Sequence, residues 1–259
     1  VTTTGNSVNA GGLIGNVNSV TAISRSFAAG PVSATGTGST AGGLLGYFSG
    51  EFGLVTLTDS FASGSVNASA SSAVGGLIGL VDGTTGSLAS VANTYARGAI
   101  TGGDPTRKGG LAGSNSGSIA NSFFDTTTTG QTALVGQNTG SLDAVSRGMD
   151  TGAMTTQANF VAAGWDFTIP TWRMGSGANA GYPCLSFAPG CVAPAVTTLY
   201  VREAQASGLY GSPNLSWLLV DASGNPLTPT DATVAGSASW SGAPTASSSV
   251  GIYTIQYAS

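Results

Sequence analysis

A glycine-rich segment of five residues recurs four times in the first half of the chain and constrains its fold more than any other feature. The copies lie at residues 11–15, 42–46, 75–79 and 109–113, and each reads Gly-Gly-Leu, then Ile, Leu or Ala, then Gly. They start 31, 33 and 34 residues apart. A period of this length indicates stacked supersecondary units. The chain is therefore predicted to contain a repeat architecture.

A second element follows each glycine-rich segment, with the pattern aliphatic, any residue, polar, Ser or Thr, aromatic. Its copies are residues 23–27, 57–61, 91–95 and 119–123. In three copies the chain continues to a Gly and then a β-branched residue two positions later (Gly30 and Val32, Gly64 and Val66, Gly98 and Ile100). Such short β-branched pieces bounded by Gly, Ser and Asn are typical of strands and turns, and no helical spacing is sustained before residue 150.

Successive copies are predicted to lie on one another ~4.8 Å apart, so that equivalent residues form columns. The expected columns are aliphatic (Ile23, Leu57, Val91, Ile119) and aromatic (Phe27, Phe61, Tyr95, Phe123). A single repeat cannot bury these side chains, and four clear copies with a degraded fifth at residues 134–136 are enough to do so. The glycine pairs are expected at corners that need positive φ or a close approach of two backbones. The sequence thus predicts an all-β parallel β-helix, or solenoid, over residues 1–148.

These residues resemble the GLUG repeat. The resemblance is carried by the glycine-rich segment and by the continuation Ser-Phe/Tyr-Ala-x-Gly-x-Val, as in residues 60–66, and it covers roughly residues 8–140. The GLUG repeat occurs in large bacterial surface proteins, including filamentous-haemagglutinin-like adhesins and other secreted virulence factors. The resemblance implies a surface location and an adhesive or stalk-like part, and it brings no catalytic residues.

Composition narrows the possible partners. Charged residues make up 7% of the chain, the net charge is −4, and no basic cluster is larger than Arg107-Lys108. A nucleic-acid binder needs a basic stripe, so that class is excluded. No apolar run approaches the ~18 residues of a membrane span. The Thr-, Ser-, Asn- and Gly-rich composition favours an exported protein, and because the chain opens within the repeat pattern we expect it to be an excerpt of a longer one.

Residues 149–194 lose the repeat and gather aromatic side chains. Because the end of a solenoid exposes its core and strand edges, we interpret this segment as a cap and as a joint to the next module. The stretch from Gly164-Trp165 to Cys184-Leu185 is similar to the tail often found after GLUG repeats. The alternative interpretation is an aromatic platform that contacts glycans, formed by Trp165, Trp172 and Tyr182.

Cys184 and Cys191 are the only cysteines of the chain, and Pro189-Gly190 lies between them. A structural zinc site normally needs four Cys or His ligands, and the chain contains no histidine. The Cys-x-x-Cys spacing of redox sites is absent as well. A disulfide formed in an oxidising compartment is therefore favoured over two free thiols.

Residues 195–259 are predicted to form a small antiparallel β domain. Strand-like runs at 197–201, 215–220 and 251–257 are separated by turn signals at 211–214, 223–226 and 241–244. Residues 210–215 and 250–255 resemble the MBG module, which recurs in bacterial surface adhesins. The usual final strand of that module is missing here, so we expect a truncated copy or a second copy beyond it.

No reactive constellation is recognisable. The absence of histidine excludes Ser-His-Asp and Cys-His arrangements, and no phosphate-binding motif or calcium-binding repeat is present. A β-helix polysaccharide lyase or hydrolase is the enzyme alternative, with Asp59 as the candidate carboxylate. Asp59 shares a column with Arg25, Asn93 and Asn121, and we expect it to form an ion pair with Arg25 across neighbouring repeats.

The sequence thus favours a non-enzymatic adhesive or structural segment of an exported bacterial surface protein, with no catalytic, metal or cofactor residues. Expected partners are a host or bacterial surface receptor or polysaccharide, and an outer-membrane transporter for export. The expected location is secreted or at the bacterial cell surface. A lectin-like module that uses exposed aromatic residues is the main alternative.

Overall fold

Parallel strands stacked in register form most of the structure, as predicted. The computed structural model describes residues 1–83, 88–168, 171–174, 178–188 and 191, and the backbone strands of the C-terminal region. The repeats build three sheets that run along a solenoid, with each repeat adding strands to all three in turn. The predicted all-β parallel solenoid is therefore confirmed.

Two of the sheets are four-stranded and consist of short strands. Sheet 1 contains Thr2–Thr3, Val32–Ala34, Val66–Ala68 and Ile100–Gly102. Sheet 2 contains Asn9–Gly11, Thr40–Gly42, Ala73–Gly75 and Lys108–Gly109. The glycine-rich segments follow sheet 2 directly and lead into sheet 3.

Sheet 3 is the largest and carries both predicted columns. It comprises Ile14–Ser24, Phe27–Ala28, Leu45–Ala62, Ile78–Asp82, Ala89–Ala96, Ala112–Asn115, Ser118–Ala120, Phe123–Asp125, Val135–Asn138, Ser141–Leu142 and Arg147–Met149. Within it, Leu57 pairs with Ile23 and with Val91, which in turn pairs with Ile119. The aliphatic column is thus formed as predicted.

One backbone hydrogen bond repeats from turn to turn and shows that the degraded fifth copy joins the stack. Leu13 N–H donates to the carbonyl of Leu44, at 2.9 Å. The same bond joins Leu44 to Leu77, Leu77 to Leu111 and Leu111 to Leu134, at 2.8, 2.9 and 2.9 Å. Leu44, Leu77 and Leu111 are buried inside the solenoid, because each is covered by the repeats on both sides.

The glycine pairs are required by close approach of neighbouring backbones. A Cβ atom built on Gly43 would lie 2.2 Å from the carbonyl oxygen of Gly76, and one on Gly76 would lie 2.3 Å from that of Gly110. None of the glycines in the four segments has φ in the left-handed region. Of the two reasons expected from the sequence, only close packing applies here.

The polar position of the second element is a bend rather than a charged site. Arg25, Asp59, Asn93 and Asn121 have φ of 46°, 47°, 53° and 47°, in the left-handed region. Asn and Asp tolerate this conformation best among non-glycine residues, which explains three of the four residues. The bend turns the chain between the aliphatic and the aromatic column in every repeat.

The Ser that follows the bend ties it to the preceding repeat, as Ser60 and Ser122 show. The Ser60 hydroxyl donates to the Thr58 carbonyl at 2.7 Å and accepts from the Ser26 N–H at 3.1 Å. Ser122 makes the equivalent bonds, to the Ala120 carbonyl at 2.7 Å and from the Thr94 N–H at 3.2 Å. The hydroxyl thus satisfies backbone groups that the bend removes from the sheet.

Residues after the repeats form short helices and one small sheet. The helices are Thr126–Thr129, Thr151–Met154 and Gln157–Val161, with single 3₁₀ turns at Pro105–Arg107 and Ala178–Gly181. Strands Trp172–Met174 and Pro183–Leu185 pair in antiparallel fashion. These elements belong to the same compact unit as the repeats, Val1–Val192.

The second unit spans Ala193–Ser259, and only backbone strands are described in it. Tyr200–Leu209 pairs antiparallel with Ser212–Val220, and Ser239–Ser241 pairs with Gln256–Ala258. The predicted strand 215–220 is present, whereas the predicted turn at 211–214 is wrong because residues 212–214 already belong to the strand. Residues 197–199, 223–226, 242–244 and 251–255, to which other predictions refer, lie outside the described residues.

No helix among the described residues has the length and apolarity to cross a membrane.

Candidate functional site

The aromatic column forms part of a second hydrophobic cluster, which is separate from the solenoid interior. Phe27 and Phe61 stack with ring centroids 5.2 Å apart and planes 9° apart, and Phe61 and Tyr95 stack at 4.9 Å and 5°. Phe123 continues the column by pairing with Tyr95 in the sheet. Stacking at the strand spacing keeps the rings parallel and leaves their edges to be covered by other residues.

Residues 149–191 cover this column along the side of the solenoid. The sequence predicts a cap over the end of the stack. The cap instead lies along the side of the solenoid, where it contacts three successive repeats. Trp172 Nε1 donates to Asp59 at 3.2 Å, and the Tyr95 hydroxyl donates to the Pro183 carbonyl at 2.6 Å. Trp165 Nε1 donates to the Asn121 carbonyl at 2.9 Å. The physical reason is that the aromatic column lies outside the solenoid interior and needs its own cover.

Trp165, Trp172 and Tyr182 do not form an exposed platform. Their side chains are 3%, 0% and 3% exposed. The Trp165 and Trp172 rings lie 4.5 Å apart, and Tyr182 stacks at 6.3 Å from Tyr95. The interpretation of these three residues as glycan contacts is corrected, because their faces are occupied by other rings and cannot receive a sugar.

Asp59 makes hydrogen bonds rather than the expected ion pair with Arg25. Its Oδ1 accepts from Trp172 Nε1 at 3.2 Å and from Asn93 Nδ2 at 3.4 Å. Within the described residues, Arg25 is exposed and has no carboxylate partner. The left-handed bend orients these side chains, so shared column membership does not bring opposite charges together. Asp59 anchors the cap and has the environment of a structural carboxylate.

Asp125 is a buried carboxylate that accepts four hydrogen bonds, and it was not predicted as a site from the sequence. It caps the helix Thr126–Thr129, with Oδ1 accepting from the N–H groups of Thr127 and Thr128 at 2.8 and 2.9 Å. Its Oδ2 accepts from the Thr151 hydroxyl at 2.7 Å and from the Tyr182 hydroxyl at 2.6 Å. Burial acts to raise the pKa of Asp125, but these hydrogen bonds outweigh it and hold the pKa below its ordinary value. An Asp directly before four Thr and a Gly is the sequence signal that could have found it.

Cys184 and Cys191 are joined by a disulfide, with Cα atoms 5.8 Å apart. Both lie at the rim of a cleft of about 160 Å³ between the cap and the start of the aromatic column. The cleft is lined by Phe27, Ser63, Arg97, Asn179 and the two cysteines, among others. Sequence reasoning missed Arg97 and Asn179 because the two residues are 82 positions apart and only the cap brings them together.

Arg97 is held in a fixed position at this cleft. Its Nη2 donates to Asn179 Oδ1 at 2.7 Å, and its Cζ lies 4.7 Å from the centroid of the Tyr182 ring. Asn179 is itself fixed, since its Nδ2 donates to the Tyr95 hydroxyl at 2.6 Å and to the Pro183 carbonyl at 2.7 Å. Burial raises the pKa of Tyr95, so this hydroxyl stays protonated and neutral.

An exposed apolar ridge lies elsewhere on the solenoid, where two repeats bulge. We use "the ridge" for Val20, Phe52 and Leu54, which are 73%, 64% and 53% exposed. Ser19 pairs with Phe52, and Val20 packs against Gly53, where an added Cβ would lie 2.5 Å from Val20 Cγ2. Adjacent exposed apolar side chains of this kind are typical of interaction surfaces.

The described residues contain no group of three His, Cys, Asp or Glu side chains arranged to hold a metal ion. Comparison of the chain with models of protein families, with curated proteins and with solved structures finds no match.

Proposed function

We propose that this chain is a non-enzymatic adhesive and structural segment of a large exported bacterial surface protein, which mediates attachment to host cells, other bacteria or matrix. The observation that carries the proposal is the continuous stack from Leu13 to Leu134, in which the same backbone bond links every repeat to the next. A solenoid of this kind is stiff along its axis because each turn contacts its neighbours over its whole length. Stiffness is what a stalk that projects a binding surface needs.

The cap supports the same proposal. It fixes three consecutive repeats to one another through Asp59, Tyr95 and Asn121. Such cross-links between turns resist shear between repeats, which is the load that a surface-attached stalk carries. The disulfide between Cys184 and Cys191 closes the C-terminal part of the cap and is compatible with an oxidising compartment outside the cell.

The proposed location at the bacterial cell surface is supported by the resemblance to the GLUG repeat and the MBG module, together with the low charge of the chain. Both resembling modules occur in bacterial surface adhesins. Export through an outer-membrane transporter belongs to the same proposal, since it follows from that class of protein. We place the receptor contact on the ridge, because Phe52 and Leu54 are the most exposed large apolar residues of their repeat.

Attachment of beads tests the proposal. Beads coated with the chain are counted on epithelial cells, on bacterial lawns and on matrix-coated glass, with albumin-coated beads as the baseline. We expect retention well above the baseline on at least one surface, and a several-fold loss for the double variant Phe52→Ser/Leu54→Ser. Val161→Ser is the matched control, since Val161 is 51% exposed on the cap and lies outside the ridge.

Retention at the albumin level on all three surfaces would contradict the adhesive proposal. Equal losses for the ridge variant and for Val161→Ser would contradict the placement of the contact on the ridge. Thermal melting of each variant separates loss of binding from loss of fold, because substitutions of exposed residues change stability by only about 0.5 kcal/mol.

A further inference from the structure

We infer that the cleft between the cap and the aromatic column binds a single acidic sugar, a six-membered ring that carries a carboxylate. The site is separate from the ridge and uses none of its residues. The inference therefore goes beyond the adhesive proposal, and either can fail without the other. It rests on the charge, the shape and the unused hydrogen-bonding groups of the cleft.

Arg97 supplies the anion-binding group. Its Nη2 donates to the Oδ1 of Asn179, its Nε is buried without a partner, and its Nη1 makes no hydrogen bond within the described residues, so Nη1 and the second N–H of Nη2 are the donors left for a ligand. The guanidinium forms no ion pair with a carboxylate of the described residues, although Arg is the residue that best matches carboxylate geometry. Arg97 already lies over the Tyr182 ring and donates to Asn179 without a ligand, so ligand binding does not have to order this long side chain.

The cleft favours an anion over a cation. Among the described residues, no carboxylate lines it. The acidic group bonded to the Tyr182 hydroxyl is Asp125, whose oxygens accept four hydrogen bonds from the protein. Asp125 therefore has little capacity to compete for the guanidinium, and the positive charge of Arg97 is the one that a ligand in the cleft meets.

The remaining walls fit a sugar ring better than a simple anion. Phe27 is half-buried at the first position of the ring stack and lines the cleft together with the disulfide, which gives an apolar wall for the C–H face of a sugar. The Ser63 hydroxyl also lines the cleft, and within the described residues it makes no hydrogen bond, so it is available to a sugar hydroxyl. An apolar wall with a few fixed polar groups is the usual composition of a small-molecule site.

The size of the cleft sets the length of the ligand. Its volume of about 160 Å³ holds roughly five water molecules at ~30 Å³ each. Sites for drug-sized ligands typically measure ~300–1,000 Å³. The cleft thus accommodates one ring, such as the terminal residue of an acidic glycan, and not an extended oligosaccharide.

Ligand-observed NMR titration with the full chain tests the inference. The probes are glucuronate, glucose as the neutral sugar and acetate as the carboxylate without a ring. We expect saturable binding of glucuronate, with glucose and acetate each at least about tenfold weaker, since each lacks one of the two recognition elements. Arg97→Gln should weaken glucuronate binding at least about tenfold, because a charge-assisted pair is lost. Arg25→Gln, which removes an exposed cation of the same stack, should leave it unchanged.

A second variant keeps the inference testable if Arg97→Gln disturbs the cap. Ala29→Trp fills the cleft from its exposed rim without altering Arg97, and it should abolish binding while the melting temperature stays the same. Equal affinities for glucuronate and glucose, or full binding by the folded Ala29→Trp variant, would overturn the assignment of the site. Acetate that binds as tightly as glucuronate would overturn the assignment of a sugar as the ligand.

Discussion

The indole nitrogen of Trp172 lies 3.2 Å from Oδ1 of Asp59, a residue 113 positions earlier in the chain. Trp172 is fully buried, so its N–H has no access to water. Asp59 occupies the left-handed bend of its repeat with φ of 47°. One carboxylate thus serves two purposes: it fits the bend and it accepts the hydrogen bond that seats the cap on the solenoid.

Replacing Asp59 separates these two purposes. Asp59→Ala should lower the free energy of unfolding by about 1–3 kcal/mol, because the buried indole N–H loses its acceptor. Asp59→Asn keeps a side-chain oxygen and a residue that tolerates the left-handed bend, so it should cost less than about 1 kcal/mol. Urea denaturation followed by tryptophan fluorescence measures both. Equal losses for the two variants would contradict a role of the oxygen in seating the cap.

Acid should release the contribution of Asp125. Its folded-state pKa is lowered, so its carboxylate stabilises the fold fully above the ordinary pKa of 3.8, and this contribution is lost as the pH falls through the folded-state value. Asp125→Asn should therefore cost about 1–3 kcal/mol at pH 7 and progressively less below about pH 4. The measurement is the free energy of unfolding of both proteins between pH 7 and pH 2.

The exposed Glu51→Gln variant is the control for the acid titration. Glu51 lies near the ridge and away from the cap, so its substitution should leave the free energy of unfolding within about 0.5 kcal/mol of the parent at neutral pH. A penalty for Asp125→Asn that stays constant down to pH 2 would show that the ionised form of Asp125 is not what stabilises the cap.

Two glycines of the repeat region should respond in opposite ways to alanine. Gly43→Ala places a Cβ 2.2 Å from the Gly76 carbonyl oxygen, so the neighbouring backbones must separate, at a cost of at least about 1–3 kcal/mol. Gly30→Ala meets no atom within 4 Å and requires no left-handed φ. It should be neutral or stabilising by up to about 1 kcal/mol. Thermal melting of both variants distinguishes close packing from a general intolerance of the repeat to substitution.

Ser60 should be replaceable by Thr but not by Ala. Ser60→Ala removes the donor to the Thr58 carbonyl and the acceptor for the Ser26 N–H, which should cost about 1–3 kcal/mol. Ser60→Thr keeps the hydroxyl, and Thr94 already occupies the equivalent buried position one repeat later. The expected cost is therefore clearly smaller. Hydrogen exchange at the Ser26 amide checks the mechanism, since exchange should accelerate in the Ala variant only.

The solenoid could be predicted from the sequence because its determinants repeat. A residue type that returns every 28 to 34 positions reveals a shared environment, and the aliphatic and aromatic columns form as this spacing predicts. In the polar column, shared position did not predict the side-chain contacts. Arg25 and Asp59 share a column because both adopt the left-handed backbone conformation of the bend. Two opposite charges in one column do not form an ion pair unless their side chains also point toward each other.

The position of the cap on the solenoid, and the cleft that it forms with the aromatic column, could not be predicted because each occurs once. Trp172, Tyr182 and Asn179 contact residues about 60 to 110 positions away, and no period reveals which partner each of them finds. The sequence favours a cap and leaves an exposed aromatic platform as the alternative, but it indicates no contact partner for either. The side of the solenoid to which they attach depends on the edge of the aromatic column, which is visible only once the bend at residues such as Asp59 is known.

Most of the variation in repeat length lies in one stretch, between the glycine-rich segment and the aromatic residue. From the last glycine of the repeated segment to the aromatic residue, the four copies span 12, 15, 16 and 10 residues. The pairings Val17 with Phe48 and Thr21 with Val55 resume on either side of the three extra residues that carry Phe52 and Leu54. Foreign peptides inserted in this stretch should therefore be displayed at defined spacings on the outside of the rod while the turns beneath them keep their alignment.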